Sequence, residues 1–262
     1  MLIVLSPAKT LDFVTPAPVA THQLPQFRKD AMELIGRLRE LALDDVASLM
    51  AISAPLAREN VDRYQRFSPR YTHRNAKQAL FAFNGAVYQG IEPRSLNELQ
   101  ISFAQDHVRI LSGLYGLLRP LDLIQPHRLE MSTRLSNARG ADLYEFWGAR
   151  LARQLSRELV GRRYPVIVNL ASDDYFRSVD VSEVQGPILK IVFEEEQGGG
   201  QNKVIGVLAK RARGLMTRYA IENRLQNPER LKEFAAEGYR FVPASSTEWQ
   251  WVFRRDPDSL RR

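Results

Sequence analysis

The sequence predicts an α+β (mixed α/β) fold: one compact domain over residues 1–262, with a mixed β-sheet surrounded by helices. Short apolar runs that end at turn residues alternate with longer segments in which apolar residues recur at helical spacing. The composition agrees, since 44% hydrophobic and 26% charged residues are typical of a globular domain with a sizeable core. A chain of 262 residues is also within the range of single mixed domains.

The first part of the chain predicts a strand, an arm and packing helices. Leu2–Leu5 is an apolar run stopped by Ser6-Pro7, which indicates a short buried strand that leads into the loop SPAKTLDF. Residues 15–25 contain prolines and little periodicity, and we expect an extended surface arm. Apolar residues at helical spacing predict helices over 27–43, 44–52 and 55–67.

Polar residues follow two predicted strands and form a candidate anion or ligand pocket. Lys9 comes after the first strand, and Asn169, Ser172 and Asp173 lie at the end of a strand predicted over 166–170. Phosphates and carboxylates often bind at the carboxyl edge of a sheet. Two alternatives stay open: Lys9 as a solvated loop lysine, and the later group as a helix cap.

The segment around residues 103–125 has the tightest local pattern. Residues 103–111 predict a short amphipathic helix, SGLYG interrupts it with Gly113 and Gly116, and an apolar run resumes at Leu117. We therefore predict a helix-hairpin-helix-like element, with Pro120 in the first turn of the second helix.

Glycines in such a hairpin would let the backbone approach a ligand and present unpaired amides to a phosphate. The alternative is a structural corner inside the core. If the hairpin contacts phosphate, the predicted DNA contacts of this element are Ser112, Gly113, Tyr115, Gly116 and Arg119.

The second half of the chain predicts a long helix and a set of strands. Residues 142–160 form a strongly amphipathic pattern that indicates one helix. Strands are expected over 188–193 and 203–208, joined by an acidic, glycine-rich loop, and over 239–242 and 249–255 as a closing hairpin.

Residues 209–225 predict a helix with one basic face. At 100° per residue the cations share an arc of roughly 160°, and Glu222 is the only acid in the segment. An exposed helix face normally mixes charges of both signs, so we predict anion contact. The predicted DNA-binding residues here are Lys210, Arg211, Arg213 and Arg218.

The net charge is +7 with a pI near 9.8, which favours a polyanionic partner such as nucleic acid. The chain has no cysteine, which excludes disulfides, thiolate nucleophiles and thiolate metal ligands. Its 4 histidines lack ligand spacing, so we predict no metal and no cofactor. Without a signal peptide or an apolar run of about 18 residues, we expect a cytoplasmic protein with no membrane partner.

Several segments taken together resemble a known family. They are MLIVLSPAKTLDF, LSGLYGLLRPLDLIQPHRLEM, ADLYEFWG, VNLASDDYF and AKRARGLMTRYAIENRL, and they match in order along nearly the whole chain. The family is that of the peroxide stress protein YaaA. The resemblance implies a bacterial protein of the hydrogen peroxide stress response that limits unincorporated iron and oxidative damage. It also implies a mixed α/β fold with a helix-hairpin-helix element and a basic cleft for double-stranded DNA.

Two functions remain open at this point. The first is a protein that binds double-stranded or branched DNA by its backbone, without strong sequence specificity. The second is an enzyme that acts on a phosphorylated or nucleotide-like small molecule in a pocket of Lys9, Asp173 and Arg211. The sequence shows no nucleophile with an adjacent base, so no catalytic residue is assigned and the enzyme is the alternative.

Overall fold

A mixed eight-stranded sheet lies at the centre of the protein in the computed structural model, which describes residues 1–197 and 201–256. A separate two-stranded sheet pairs β2 with β5. The predicted fold class, a mixed α/β single domain, is confirmed. The strands are β1 (Leu2–Leu5), β2 (Lys77–Gln78), β3 (Val108–Ser112), β4 (Gly116–Leu118), β5 (Leu123–Ile124), β6 (Ile167–Asn169), β7 (Ile188–Gln197), β8 (Gln201–Lys203), β9 (Tyr239–Phe241) and β10 (Gln250–Arg255).

Helices surround this sheet, and the three helices predicted near the N-terminus are present, as is the long helix near residue 215. The helices are α1 (Arg28–Arg39), α2 (Leu43–Met50), α3 (Ala54–Arg66), α4 (Ala79–Ala82), α5 (Ala86–Ile91), α6 (Glu98–His107), α7 (Leu143–Trp147), α8 (Arg150–Leu159), α9 (Asp173–Phe176) and α10 (Gly206–Glu222).

Strand β1 is the middle of the sheet. The strand order is β4-β3-β1-β6-β7-β10-β9, and β1 runs parallel to both β3 and β6. Its residues Leu2–Leu5 are fully buried, as expected of a parallel strand covered on both faces. The two strands parallel to β1, which are β3 and β6, lie on opposite sides of it. This arrangement opens a crevice at its carboxyl end, where ligands of parallel sheets bind.

The predicted helix-hairpin-helix-like element at 103–125 is wrong. Helix α6 ends at His107, and the chain continues as β3, turns through SGLYG and returns as β4 in an antiparallel hairpin. A short apolar run with β-branched Val108 and Ile110 fits a strand or a helix by periodicity alone. Pairing with β1 decides for the strand, because it buries the run on both faces of the sheet.

Other boundaries also differ from the sequence-based prediction. The helix predicted over 142–160 is two helices, because Gly148 between α7 and α8 has a φ of 47°. The strand predicted over 203–208 is the short β8, and α10 begins at Gly206. The strands predicted over 188–193, 239–242 and 249–255 are confirmed. Of the acidic, glycine-rich loop, residues 198–200 lie outside the described residues, as do the C-terminal residues 257–262.

A buried carboxylate in the turn before β5 gives a testable pH dependence. One oxygen of Asp122 accepts a hydrogen bond from the Arg119 amide at 2.8 Å, but burial raises the Asp122 pKa from 3.8 to about 6. Folding therefore favours the protonated form. Its contribution to stability is complete below pH 3.8 and is lost as the pH rises through about 6.

We expect Asp122→Asn to raise the free energy of unfolding by roughly 1–3 kcal/mol at pH 7, since it removes the buried charge. At pH 3.8 or below the two proteins should differ little, because Asp122 is then protonated. Urea denaturation at both pH values measures the change. A variant that loses stability at pH 7 would show that the Arg119 contact outweighs the cost of burial.

Candidate anion site at the carboxyl edge of the sheet

The loops after β1 and β6 are bonded to each other at the carboxyl edge of the sheet. The Ser6 hydroxyl accepts a hydrogen bond from the Ser172 amide at 2.9 Å, and the two hydroxyl oxygens lie 3.2 Å apart. The buried Tyr88 of α5 donates its phenol proton to the Ser6 carbonyl at 3.1 Å. These bonds hold both loops in fixed positions beside the crevice at β1.

Lys9 lies at this edge as an exposed loop lysine that forms an ion pair. Its ammonium group pairs with a Glu130 carboxylate oxygen at 2.8 Å, and the Arg128 guanidinium pairs with the other oxygen at 2.8 Å. The Lys9 side chain is 63% exposed, whereas that of Arg128 is only 17% exposed. The Nε of Arg128 is buried and has no hydrogen-bond acceptor among the described residues. Two cations thus share one carboxylate.

A small cavity of about 20 Å³ lies between these residues and is lined by Lys9, Arg128, Glu130 and Tyr175. This volume holds about one water molecule. Burial and the nearby Glu130 carboxylate raise the pKa of Tyr175, so its phenol stays protonated. His127 also lines the cavity, and burial lowers its pKa to about 4, which leaves a neutral imidazole at pH 7.

The polar residues predicted after β6 have separate roles. Asn169 is buried, and its side-chain oxygen accepts from the Ala171 amide at 2.9 Å, which shapes the turn. Ser172 precedes the first residue of α9 and bonds to Ser6 instead of capping the helix. Asp173 is exposed and pairs with Lys190 of β7 at 3.0 Å.

The contacts separate the three residues of the predicted Lys9, Asp173 and Arg211 pocket. Arg211 donates to Glu237, while Lys9 and Asp173 have the partners given above. The arginine of α10 that interacts with Asp173 is Arg213. Its half-buried guanidinium has a lowered pKa because of burial, and its Nε has no acceptor among the described residues.

Sequence reasoning missed four residues of this edge: Arg128, Glu130, Tyr175 and Lys190. The only signal was the basic trend of the segment PHRLEM, which comes close to Lys9 solely through the fold. Tyr175 follows the polar group at 172–173 and lines the cavity from the short helix α9.

The residues predicted to grip DNA at 112–116 are buried. Ser112, Leu114 and Tyr115 are at most 1% exposed. The Ser112 hydroxyl accepts from the Tyr115 amide at 3.1 Å, and the Tyr115 phenol oxygen accepts from the Gln125 amide at 3.0 Å. The segment is therefore the corner inside the core that was the alternative. Arg119, predicted to contact DNA, pairs instead with Asp122 at 3.3 Å.

The basic face of α10 is partly neutralised by acids, of which one belongs to the helix itself and two to other elements. Arg211 pairs with Glu237 at 2.6 Å. Arg218 pairs with Glu222 at 2.8 Å and with Glu92 at 3.4 Å. Lys210 is exposed, and neither it nor Arg213 forms an ion pair within the part of the chain that is described. The predicted one-signed face thus exists in the helix but not on the folded surface.

A helical hairpin does occur elsewhere, at α2 and α3. Residues 51–53 join the two helices, Ala51 has a φ of 49°, and no side chain caps the first turn of α3. Exposed arginines lie on the second helix of this hairpin and in the loop after it. No acidic side chain of residues 1–197 or 201–256 forms an ion pair with them. They are Arg58 and Arg66 on α3 and Arg70 and Arg74 in the next loop.

Within residues 1–197 and 201–256, no group of at least three His, Cys, Asp or Glu side chains converges as a metal site would. The same residues contain no helix with the length and apolar character needed to span a bilayer.

Comparison with known proteins assigns relatives to this chain. A family model described as the peroxide stress protein YaaA matches residues 1–245. A UPF0246 protein of Burkholderia cenocepacia strain HI2424 is 54% identical over 257 residues, which are 97% of this chain and 98% of the relative. A UPF0246 protein of Paraburkholderia xenovorans strain LB400 is 54% identical over 259 residues, with the same coverage of both chains.

Proposed function

Because the chain belongs to the peroxide stress protein YaaA family, we propose that it acts in the hydrogen peroxide response by binding double-stranded or branched DNA through the phosphate backbone. The observation that supports this proposal best is the set of unpaired arginines beside the α2–α3 hairpin. We call residues 51–53 with Arg58, Arg66, Arg70 and Arg74 the hairpin surface. The protein would work in the bacterial cytoplasm.

The electrostatics of the hairpin surface suit phosphate contact. An arginine that already holds a carboxylate must give it up before it can neutralise a phosphate, whereas an unpaired arginine releases counterions at once. Asp62 lies between Arg58 and Arg66 on the same side of α3, and neither arginine pairs with it. Amides of the uncapped first turn of α3 add backbone donors of the kind that contact phosphates.

The same contacts favour backbone binding without base readout. Arginine–phosphate pairs and amide–phosphate hydrogen bonds fix a protein on a duplex but contain no sequence information. We therefore propose similar affinities for duplexes of equal length and different sequence. A binding selection from a random library that converges on one consensus would contradict this part of the proposal.

We propose that the protein limits iron-dependent damage where it is bound to DNA. Neutralised phosphates attract fewer cations, so bound protein would lower the amount of ferrous iron held near the backbone. Protection should then depend on occupancy of the DNA and should be lost together with binding.

The hairpin surface can be tested by salt dependence. The double variant Arg58→Gln, Arg66→Gln is expected to reduce the slope of log affinity against log salt by about 1.8, or about 0.9 for each lost phosphate contact. Electrophoretic or fluorescence titration of a duplex at salt concentrations from about 50 to about 200 mM measures the slope.

The matched control is the double variant Arg37→Gln, Arg230→Gln. It lowers the net charge equally, but these exposed arginines already pair with Glu40 and Glu233. Its slope should stay close to that of the parent. Equal slopes for both double variants would show that the hairpin surface does not contact DNA and that only the net charge of the protein matters.

A further inference from the structure

The carboxyl edge of the sheet has more positive than negative charge. Lys9 and Arg128 share the single carboxylate of Glu130. A second group lies at α9, where Lys190 pairs with Asp173 and Arg213 interacts with the same carboxylate. Four cations thus face two carboxylates. The exposed Asp174 and Arg177 flank the edge and add one charge of each sign, so an excess of two positive charges remains.

Two buried donors at this edge have no acceptor. The Nε atoms of Arg128 and Arg213 are enclosed by the protein and form no hydrogen bond within the described residues. A buried N–H without a partner costs free energy that an anionic ligand would recover. The two arginines come from different elements, a loop after β5 and helix α10. Arg128 lines the cavity beside Lys9, and Arg213 interacts with Asp173 of α9.

The loops beside these cations are held by hydrogen bonds, whereas the cavity is bordered by an exposed lysine. Hydrogen bonds among Ser6, Ser172 and Tyr88 fix the loops beside the cavity, and the protonated phenol of Tyr175 is a donor in its lining. The cavity of about 20 Å³ is lined by both members of the Lys9–Glu130 pair, in which Lys9 is 63% exposed. Glu130 occupies the position of an anionic ligand, and its bond to the exposed Lys9 contributes little stability, so that this bond can be exchanged.

We propose that this edge is a binding site for a phosphate monoester, in which the phosphate replaces Glu130 as the partner of Lys9 and Arg128. A monoester is a dianion at pH 7, since its second pKa is about 6, and its charge matches the excess of two. The planar guanidinium of Arg128 suits phosphate oxygens. A free mononucleotide and the 5′-phosphate at the end of a DNA strand both offer this group.

The monoester site is separate from the hairpin surface. Internal phosphodiesters have one charge each and lie along a duplex, whereas this small cavity, enlarged by the space that the displaced Glu130 carboxylate leaves, would admit a terminal group only. Each site can therefore fail without the other, and the variants below separate them.

The test uses isothermal titration of the full chain with dAMP, inorganic phosphate and, as the ligand without phosphate, deoxyadenosine. The parent should bind dAMP and phosphate but not deoxyadenosine. Lys9→Gln should weaken dAMP binding by about tenfold or more, the usual effect of losing a charged hydrogen bond. Lys29→Gln removes an exposed lysine of α1 that has no ion pair among the described residues, and it should bind as the parent does.

Glu130→Gln gives a test of opposite sign. It removes the internal carboxylate that competes for Lys9 and Arg128, so dAMP should bind more tightly, by about threefold or more. A purely structural Glu130 would give equal or weaker binding. Circular dichroism confirms that each variant is folded, and Lys9→Arg should recover most of the affinity.

Duplexes with and without a 5′-phosphate then identify the source of the monoester. Competition with dAMP by the phosphorylated duplex alone indicates strand ends, and no competition by either duplex indicates a free mononucleotide. The proposal is overturned if dAMP fails to bind at millimolar concentration, if deoxyadenosine binds equally well, or if Lys9→Gln binds dAMP like the parent. If the Arg58→Gln, Arg66→Gln variant loses duplex binding but still binds dAMP, only the hairpin surface is affected and the monoester site is independent of it.

Discussion

Replacing Gly116 with valine is expected to lower the free energy of unfolding by roughly 2–5 kcal/mol, of which the left-handed backbone accounts for about 1–2 and overpacking for about 1–3. Gly116 has a φ of 67°, and a Cβ built there would lie 2.6 Å from Cζ3 of Trp147. That ring is fully buried, and its Nε1 donates to the Gly113 carbonyl at 3.0 Å, so it has no free direction in which to move.

Gly161→Val is the matched control for this prediction. Gly161 has a φ of 77° but nothing within 4 Å of an added Cβ, so only the backbone cost of about 1–2 kcal/mol should appear. Urea denaturation at pH 7 measures both variants. Gly116→Val as stable as Gly161→Val would mean that Trp147 can move aside at no cost.

The same variant also addresses the original DNA hypothesis for this hairpin. Because residues 112–116 are buried, folded Gly116→Val should bind a duplex as tightly as the parent when measured well below its own melting temperature. A specific loss of binding in the folded variant would show that the hairpin becomes accessible to DNA.

Gly214→Ala is expected to destabilise the protein by roughly 1–3 kcal/mol or more, although alanine is the better helix former. A Cβ at this position would overlap the carbonyl oxygen of Val87 and lie 3.0 Å from the Cα of Gly90. Here α10 and α5 approach backbone to backbone, and neither chain can withdraw without separating the helices.

Gly36→Ala in α1 provides the control, because nothing lies within 4 Å of its added Cβ. This change should stabilise the protein by about 0.5–1 kcal/mol, the usual gain for glycine replaced by alanine inside a helix. Thermal unfolding followed by circular dichroism compares the pair. Changes of the same sign in both variants would contradict the proposed close contact between α5 and α10.

Local patterns were sufficient for much of the fold. The buried run Leu2–Leu5, the helices α1 to α3 and the closing strands β9 and β10 followed from periodicity and turn residues. The hairpin at β3 and β4 did not, because a five-residue segment with three apolar residues fits either period until its neighbour β1 is known. The break at Gly148 was hidden within an amphipathic pattern that continues across it.

The sequence by itself determined the mixed α/β class, the family, and the position of Lys9 at the end of a strand. The tertiary structure decided which charges are available to a ligand. Arg218 meets Glu92 from 126 residues away, and Lys9 meets Glu130 across the sheet edge. Such pairs form between residues that are distant in sequence, and Coulomb attraction acts over a few ångströms in space, so helical spacing alone cannot show whether an arginine is paired or free.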